Sequence, residues 1–301
     1  TIPLTMPTQF QHNAEAHHEL NVYLRGQRIK HESSPVYLGV TLDRSLTYHE
    51  HLKKTAAKVN TRNNLLSKLA GSSWGANAQT LKTTALALCY STAEYCAPVW
   101  SRSSHTKLVD VQLNSSMRTI TGTLRPTQLP WLPVLSNIPP PHLRRQEATA
   151  KMLAKVLSNN QLPLYMDIMA HPGARLPSRH PIWLDQPPAD FRAISAWKDE
   201  WLSTDAVNHS LIAEPSLCPP GFKLPRRLWK SLNRFRTEQG NCAANLVRWG
   251  HGTDPSCRCG DPETMSHIVN VCPLTRFNGG LPVIHLAGDD AVQWLSTQCI
   301  R

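Results

Sequence analysis

Apolar residues recur at helical spacing along most of the first half of the chain. The segment "TYHEHLKKTAAKVNTRNNLLSKLAG" has apolar side chains at three- and four-residue intervals and stops at Gly71, which predicts a helix. Thr47 lies three residues before Glu50, the spacing of a capping box at a helix start. The same periodicity predicts further helices over about 77–95, 104–120 and 142–160. Their short connections indicate a packed helical bundle, so the predicted fold class is mainly α.

Strand-like alternation is confined to the first 45 residues. "LNVYLRGQRI" contains a predicted turn at Gly26, and "VYLGVTLD" alternates β-branched and aromatic residues with others. Together the two segments predict a small N-terminal β-hairpin or sheet edge.

Prolines interrupt the helical pattern in two places. In "RPTQLPWLPVLSNIPPP" they remove amide donors and bias the preceding residues toward extended conformations, so we expect a stiff, non-helical strap. Prolines recur between 159 and 221 and predict a linker that contains one helix. That helix carries a predicted aromatic stripe of Phe191, Ile194, Trp197 and Trp201. The predicted regions are a strand-rich segment at 1–45, a helical domain at 46–158, a Pro-rich linker at 159–221 and a basic module at 222–301.

The chain is strongly basic. Among its 301 residues, 32 Lys and Arg face 21 Asp and Glu, a formal net charge of +11. Such a balance favours a polyanionic partner, and nucleic acid is the leading candidate. No apolar run approaches the roughly 20 residues of a membrane-spanning helix, and no signal peptide is visible, so we expect no membrane partner and an intracellular location. The chain begins at Thr1, and we expect it to be part of a longer polypeptide.

The segment "CRCGDPETMSHIVNVC" has the residue types of a metal site. Cys257, Cys259, His267 and Cys272 lie within sixteen residues, and thiolate and imidazole are the preferred ligands of tetrahedral zinc. Gly260 and Pro262 would supply a turn for the first two ligands, and a helix ending near Cys272 would present the other two. Four protein ligands predict a structural zinc ion that contributes to folding.

Two alternatives remain open for this segment. The cysteines and the histidine could be buried, unreactive core residues, which is the usual fate of isolated examples. One of the assumed ligands could also be replaced by Cys242, His251 or Cys299.

A dense basic run precedes the cysteine cluster. Between Lys223 and Arg248, seven basic residues accompany the single acidic Glu238. If Leu224, Leu228, Leu232 and Phe235 face the core, the basic residues project outward as a candidate phosphate-binding face. The alternative is a solvated helix face without a ligand. The predicted nucleic-acid-binding residues are Arg226, Arg227, Lys230, Arg234 and Arg236.

Two short motifs imitate catalytic or metal sites. "GDD" at 288–290 resembles a polymerase carboxylate pair but precedes the helical pattern "AVQWLSTQ", where an Asp is an ordinary N-cap. "HEH" at 49–51 resembles a metal site, but residues two apart on a helix point to different sides. Neither motif predicts chemistry, and no hydrolase or transferase residue set is evident.

Several phrases resemble the reverse transcriptases of non-LTR retrotransposons, particularly the jockey-like elements. "VYLGVTLDRSLTYHEHL" resembles the segment directly after their catalytic palm. "ALALCYSTAEYCAPVW" and "VDVQLNSSMRTITGTLRPTQLPWLPVLSNIPPPHLRR" resemble the thumb region and the segment that follows it. "LNRFRTEQGNCAANLVRWG" and "CRCGDPETMSHIVNVCP" are similar to the C-terminal segment, which carries a zinc-knuckle pattern in that family. The resemblance covers nearly the whole chain.

The resemblance implies the end of a polymerase palm at 1–45, a thumb-like bundle at 46–158 and a zinc-knuckle module at 222–301. It supports Cys257, Cys259, His267 and Cys272 as the zinc ligands. The Tyr/Phe-Ala-Asp-Asp motif of the family's catalytic aspartates does not occur here, so the isolated chain is predicted to be inactive as an RNA-directed DNA polymerase.

Two functions follow from the sequence. The first is nucleic-acid binding, to element RNA or target DNA, together with the upstream remainder of the reverse transcriptase and in the nucleus when target DNA is the partner. The second is a decayed or domesticated fragment that acts as a structural or protein-interaction module. Salt dependence discriminates them, because binding through phosphates weakens steeply as salt rises.

Overall fold

Helices dominate the structure of this protein. The computed structural model describes residues 21–71, 75–171, 182, 187–188 and 190–298. The strands are β1 (Tyr23–Leu24), β2 (Gln27–Arg28), β3 (Val36–Tyr37) and β4 (Val40–Thr41). The helices are α1 (His49–Leu69), α2 (Ala78–Ala85), α3 (Ser91–Ala93), α4 (Ala97–Trp100), α5 (Lys107–Thr121), α6 (Trp131–Ser136), α7 (Pro141–Leu157), α8 (Pro163–Ala170), α9 (Ala193–Leu202), α10 (Arg226–Arg236), α11 (Ala243–Arg248), α12 (Gly280–His285) and α13 (Asp289–Thr297). Two π-helical turns, Leu86–Tyr90 and His267–Val271, and a 3-10 turn, His209–Leu211, complete the regular structure. The mainly α prediction is confirmed.

The first core forms where α1, α2 and α5 pack together, as the periodicity predicts. Leu52, Val59 and Leu66 of α1 are fully buried with Leu81 of α2 and Leu113 of α5. α5 ends at Gly122, whose φ of 70° is the left-handed conformation that closes many helices. These contacts confirm the helices predicted for this part of the chain.

The predicted capping box of α1 does not form. The N-cap residue is Tyr48, in the left-handed region at φ 60°, and its side chain makes no capping hydrogen bond. The Oγ1 of Thr47 instead accepts a hydrogen bond from the backbone N–H of His49, over 3.2 Å. Thr47 is itself held by the carboxylate of Asp43, which accepts from its N–H and its hydroxyl. The sequence pattern therefore located the helix but not its cap.

The predicted non-helical strap contains a helix. α6 runs over "WLPVLS", and its six residues are all buried. Pro133 is its third residue, where the missing N–H costs nothing because the first four amides of a helix have no partner within it. Asn137 ends the helix at φ 52°. The strap prediction was wrong because it treated prolines near a helix start as if they lay in a helix interior.

The described part of the Pro-rich region packs onto the bundle through tryptophans. The rings of Trp131 in α6 and Trp201 in α9 lie 5.0 Å apart in an edge-to-face arrangement. The indole of Trp201 donates to the carbonyl of Ile212 over 2.7 Å, and Trp197 is also buried. Ile194 is 55% exposed, so the predicted aromatic stripe contains the two tryptophans but not this residue.

The two strand-like segments form two separate hairpins rather than a larger sheet. β1 and β2 pair around Gly26, at φ 78°, as predicted. "VYLGVTLD" folds back on itself, so that β3 and β4 pair around Leu38 and Gly39, both at positive φ. Two consecutive positive φ angles are typical of the tight turn that two-residue hairpins prefer.

α10 connects the bundle to the C-terminal segment. Trp229 belongs to the first core, whereas Leu232 and Phe235 belong to a core shared with α12 and α13. Phe222, at the predicted start of the C-terminal module, also packs in the first core. The domain boundaries inferred from sequence remain predictions. Across the described ranges, no helix is both long enough and apolar enough to cross a membrane.

Candidate metal centre

A tight loop presents the first two cysteines. The N–H of Cys257 donates to the carbonyl of Asp261 over 2.7 Å, and the N–H of Gly260 donates to the carbonyl of Cys257 over 2.9 Å. Gly260 has φ 101°, a conformation that only glycine adopts readily. Ser256 and Pro262 form an isolated antiparallel bridge at the base of the loop. The predicted turn is present and places both thiols on one side of it.

The other two residues are aligned by a π-helical turn rather than by an α-helix. In an α-helix, residues five apart lie about 140° apart around the axis and point in different directions. Here the N–H of Cys272 donates to the carbonyl of His267 over 2.8 Å, the five-residue hydrogen bond of a π-helix. The wider turn brings His267 and Cys272 to the same face. The sequence predicted an ordinary helix before Cys272, and the structure has a π-helical turn there instead.

The four side chains converge with the spacing of a tetrahedral site. The Sγ atoms of Cys257, Cys259 and Cys272 and a ring nitrogen of His267 all lie within 4.8 Å of one another. The Sγ atoms of Cys257 and Cys272 are 3.7 Å apart, and Cys259 Sγ is 3.1 Å from His267 Nε2. Two thiolates bound tetrahedrally to zinc at about 2.3 Å lie about 3.8 Å from each other. A disulfide would instead require about 2.05 Å between the sulfurs.

Burial and hydrogen bonding suit the cluster to a cation. Cys272 and His267 are buried, and Cys257 and Cys259 are half-buried. A hydrogen bond with the side chain of Thr275 is the largest cause that lowers the pKa of the Cys272 thiol to about 6. Cys272 therefore favours the thiolate, the form that binds metal, near neutral pH. The residues present could hold one metal ion and are compatible with zinc.

The cluster is joined to the rest of the C-terminal segment. Met265 and Val269, on either side of His267, are buried in the core with α12 and α13. The Glu263 carboxylate accepts a hydrogen bond from the N–H of Ala243, the first residue of α11, over 3.0 Å. An ion bound by the four ligands would therefore fix the loop, the π turn and the start of α11 relative to one another.

The alternative ligands lie elsewhere or outside the described residues. Cys242 is buried in the C-terminal core, and His251 is exposed; neither belongs to the cluster. Cys299 lies outside the part of the chain that the structure describes. Within that part, this is the only group of three or more His, Cys, Asp or Glu side chains with metal-binding spacing.

The predicted basic face of α10 is mostly buried. Arg226, Arg234 and Arg236 are 5%, 8% and 0% exposed, so these three do not project outward. Lys230 is half-buried, and Arg227 alone of the five is exposed. The outward-facing arrangement was therefore wrong for the three arginines.

Three side chains of α10 cap the C-terminal end of α5. Arg226 donates to the carbonyls of Thr119 and Ile120, and Trp229 donates to the same Ile120 carbonyl over 3.2 Å. Asn233 donates to the carbonyl of Thr121 over 2.9 Å. The last carbonyls of a helix have no partner within it, so these donors satisfy them. The 226, 229 and 233 spacing, which is that of one helix face, was the available signal for this arrangement.

Arg236 is a core residue held by neutral acceptors. Its guanidinium donates to His285 Nδ1 over 3.1 Å, to Asn233 Oδ1 over 3.0 Å and to the carbonyls of Pro220 and His285 over 2.7 and 2.8 Å. It also lies over the ring of Trp229, 5.5 Å from the centroid. Burial lowers its pKa to about 9. Its role is therefore to hold α10 against α12 and the segment before α10.

The "HEH" motif at 49–51 and the "GDD" motif at 288–290 have structural roles. His51 is buried, and its Nδ1 accepts a hydrogen bond from the N–H of Thr41 over 3.3 Å. Asp289 and Asp290 form the first turn of α13, after the N-cap Gly288, and α12 rather than a strand precedes them. Acidic residues in a first helical turn are favourable next to the positive end of the helix dipole.

An exposed basic surface that the sequence analysis did not predict lies on α1. Lys54, Lys58 and Arg62 are four residues apart and share one face, and Lys53 lies beside them. The three lysines are exposed and Arg62 is half-buried. Glu50, the helix's acidic residue, is paired with His49. The four-residue spacing of these cations was the signal in the sequence. Lys53, Lys54, Lys58 and Arg62 are called the α1 basic face below.

Comparison with known proteins finds no match: no family model, curated protein or solved structure is significantly similar to this chain.

Proposed function

We propose that this chain binds nucleic acid as the C-terminal part of an RNA-directed DNA polymerase of a jockey-like non-LTR retrotransposon. Its bundle is the thumb-like part, the region from Phe222 onward is the zinc-knuckle module, and its partners are element RNA or target DNA and the upstream polypeptide. It acts inside the cell, and in the nucleus when DNA is the target. The catalytic aspartates of such an enzyme lie outside this sequence.

The α1 basic face is the observation that carries the binding proposal. Its lysines project into solvent on one side of a 21-residue helix, so several phosphates of an extended backbone can be contacted at once. Each neutralised phosphate releases condensed counterions, which makes such binding favourable at low salt. The net charge of +11 adds long-range attraction for the same partner.

A structural zinc ion is the second part of the proposal. Four protein side chains fill a tetrahedral coordination shell, so no position remains for a substrate. The ion stabilises the C-terminal segment, which is joined to the bundle through α10. Zinc rather than another metal is favoured by the three sulfur ligands and one nitrogen ligand.

Charge reversal on α1 tests the binding proposal. The triple variant Lys53→Glu, Lys54→Glu, Lys58→Glu is expected to bind a fluorescent single-stranded oligonucleotide at least about tenfold more weakly than the unaltered protein. Loss of three phosphate contacts also reduces the slope of log affinity against log salt by about 2. Fluorescence anisotropy across a salt series measures both quantities.

A matched variant separates the α1 basic face from net charge. Lys107→Glu, Lys151→Glu, Lys155→Glu makes the same charge change at three exposed lysines of α5 and α7. We expect it to retain most of the affinity and the salt slope. Equal losses in both triples would show that binding follows net charge alone, and an unaltered protein without oligonucleotide affinity would refute the proposed function.

A protein-interaction module is the second candidate, because of the N-terminal hairpins. Tyr23, Leu24, Val36, Tyr37 and Leu38 are each more than 60% exposed. Exposed apolar groups on short strands are typical of a surface that a protein partner covers. This candidate predicts partner binding that changes little with salt, in contrast to phosphate contacts.

A further inference from the structure

A pocket of about 530 Å³ opens between α5, the residues that lead into α6, the start of α7 and α9. This volume lies within the roughly 300–1,000 Å³ that is usual for small-molecule sites. Prolines at positions 130, 133, 140 and 141 line the pocket, and their rings restrict the backbone φ angle. The walls that these prolines form therefore have few alternative conformations.

Two helices each present one face to this pocket. The lining residues of both helices recur at intervals of three and four, the spacing of side chains on a single helix face. They are Lys107, Asp110, Val111 and Asn114 of α5, and Trp197, Glu200 and Trp201 of α9. Side chains on packed helices are held more precisely than side chains on loops. The polar groups of the pocket thus have defined positions.

Most of the lining is apolar. Trp197 and Trp201 are buried, and the Trp201 indole is fixed by its hydrogen bond to the carbonyl of Ile212. Val111 and Leu129 also line the pocket and are exposed, so a ligand that covers them removes apolar surface from water. Aromatic rings pack favourably against indoles in edge-to-face or offset arrangements. The pocket therefore favours a ligand with an aromatic body.

The two carboxylates of the pocket already have partners. Asp110 accepts two hydrogen bonds from the guanidinium of Arg145, over 2.5 and 3.0 Å. Glu200 Oε1 lies 2.8 Å from His142 Nε2. Lys107 is exposed and belongs to none of the ion pairs in the described residues. The charge that remains for a ligand is the Lys107 ammonium.

The N-termini of two helices add positive potential beside this ammonium. Lys107 is the first residue of α5 and Pro141 the first of α7, and both line the pocket. The ion pair between Asp110 and Arg145 joins the beginnings of these two helices. A helix N-terminus carries a partial charge of about half a positive unit. The first turn of α7 contains no acidic residue to offset it.

We propose that this pocket binds a small aromatic carboxylate. The rings of the ligand pack on Trp197 and Trp201, and its carboxylate accepts a hydrogen bond from the Lys107 ammonium. Asn114 and Thr204 are half-buried in the lining and offer an amide and a hydroxyl as further partners. A singly charged carboxylate fits better than a phosphate, because Lys107 is the only lysine or arginine among the described residues that line the pocket.

This site goes beyond the proposed function and does not depend on it. The pocket is formed by α5, α7 and α9, whereas the α1 basic face lies on another helix. A carboxylate ligand can therefore bind whether or not the chain binds nucleic acid.

Equilibrium dialysis with naphthoate, a two-ring aromatic carboxylate, tests the site. The unaltered protein is expected to bind one naphthoate per chain. Naphthamide has the same rings without the charge and should bind about two- to fivefold more weakly, the contribution of an exposed ion pair. Lys107→Met keeps an aliphatic chain but removes the ammonium. It should weaken naphthoate binding by the same factor and leave naphthamide binding unchanged.

Filling the pocket is the second test. Asn114→Trp places a large ring inside the cavity and should weaken binding of both compounds at least about tenfold, because it occupies the volume that the ligand needs. Ser115→Trp introduces the same side chain at the next position of α5, which is exposed and outside the lining, and should bind as the unaltered protein does. Thr204→Trp fills the pocket from the segment after α9, in case Asn114→Trp fails to fold by circular dichroism.

Three results would overturn the proposal. They are absence of naphthoate binding by the unaltered protein, equal naphthoate affinity in Asn114→Trp and Ser115→Trp, and equal affinity of the unaltered protein for naphthoate and naphthamide. The first would leave the groove to apolar side chains of a protein partner. The second would place the bound compound elsewhere, and the third would exclude an anionic ligand.

The two charge-reversal triples separate this site from nucleic-acid binding. The triple on α5 and α7 contains Lys107→Glu, so it should lose naphthoate affinity while it keeps oligonucleotide affinity. The triple on α1 should do the reverse. Loss of naphthoate affinity in the α1 triple would contradict the assignment of the ligand to this pocket, and absence of oligonucleotide binding would refute the proposed function alone.

Discussion

Gly122, directly after α5, packs against Lys230 of α10. Its φ of 70° is left-handed, and Lys230 crosses the space that a Cβ would occupy. Any side chain at this position would therefore lower the folding stability in two ways, through the left-handed backbone and through overlap with Lys230. Gly250 has a similar φ of 76° but no atom within 4 Å of its ideal Cβ, so it carries only the backbone penalty.

Gly122→Ala is expected to destabilise the protein more than Gly250→Ala. The left-handed backbone alone costs about 1 kcal/mol in each variant. Overlap with Lys230 adds about 1–3 kcal/mol at position 122, as in other overpacked sites. Urea unfolding midpoints measure both changes, and equal destabilisation of the two variants would contradict the close approach of Lys230.

The imidazole of His285 gives Arg236 one of its acceptors and is itself buried. Burial, and to a smaller extent the charge of Arg236, lowers the pKa of His285 to about 4. Its pKa in the unfolded chain is about 6.5. Between these values the unfolded chain takes up a proton that the folded protein does not, so folding stability falls as the pH is lowered from about 6.5 to about 4.

His285→Asn should flatten this part of the pH dependence. The Asn Oδ1 takes the place of the imidazole Nδ1 as acceptor for Arg236 Nε but does not titrate in this range. We expect the free energy of unfolding of the variant to change less than that of the unaltered protein between pH 6.5 and 4. Urea unfolding at both pH values measures it, and parallel curves would show that His285 does not contribute.

At the scale of elements, the loop at 257–261 and the π turn are short pieces that a metal ion could join. The loop has a single bridge at its base, and the π turn has five residues, so each is a weak element by itself. Coordinated metal contributes folding free energy to such segments directly.

Zinc removal should therefore destabilise the C-terminal segment. Mass-spectrometric metal analysis is expected to give one zinc per chain, and Cys257→Ser, Cys259→Ser should reduce it to near zero because two of the four ligands are lost. A chelator should lower the unfolding temperature of the unaltered protein but not of this variant.

Cys218→Ser serves as the control, because Cys218 is an exposed cysteine outside the cluster. It should retain one zinc and the unaltered unfolding temperature. Zinc retained by the double variant, or a protein purified without zinc that is unaffected by adding it, would rule out a zinc site at these residues.

Element boundaries show where reasoning from local sequence reached its limit. The helices α1, α5 and α7 follow from their apolar periodicity, and Gly122 ends α5 as its sequence indicates. The helix α6 was missed, because its prolines are acceptable only at a helix start, and the packing of Trp131 decides that a helix starts there. The same holds for the π turn, which local propensity does not distinguish from an α-helix.

At the scale of the whole molecule, α10 is the connection between bundle and C-terminal segment. Its residues belong to both cores, and its arginines donate to carbonyls of α5, to Pro220 and to α12. Arginine is suited to this role because its planar group makes several hydrogen bonds to neutral acceptors at once. Arg226 and Arg236 thus serve packing here, while Lys53, Lys54 and Lys58 of α1 remain exposed.

The sequence by itself determined the mainly helical class, the first hairpin around Gly26 and the four residues that converge in the candidate metal centre. These follow from local physics: periodic apolar side chains, a turn that needs glycine, and ligand types at close spacing. Only the tertiary structure decided that Arg226, Arg234 and Arg236 face inward and that Lys53, Lys54 and Lys58 remain exposed. Whether a charged side chain is buried depends on acceptors from distant segments, such as the end of α5 and His285, and no local pattern contains them.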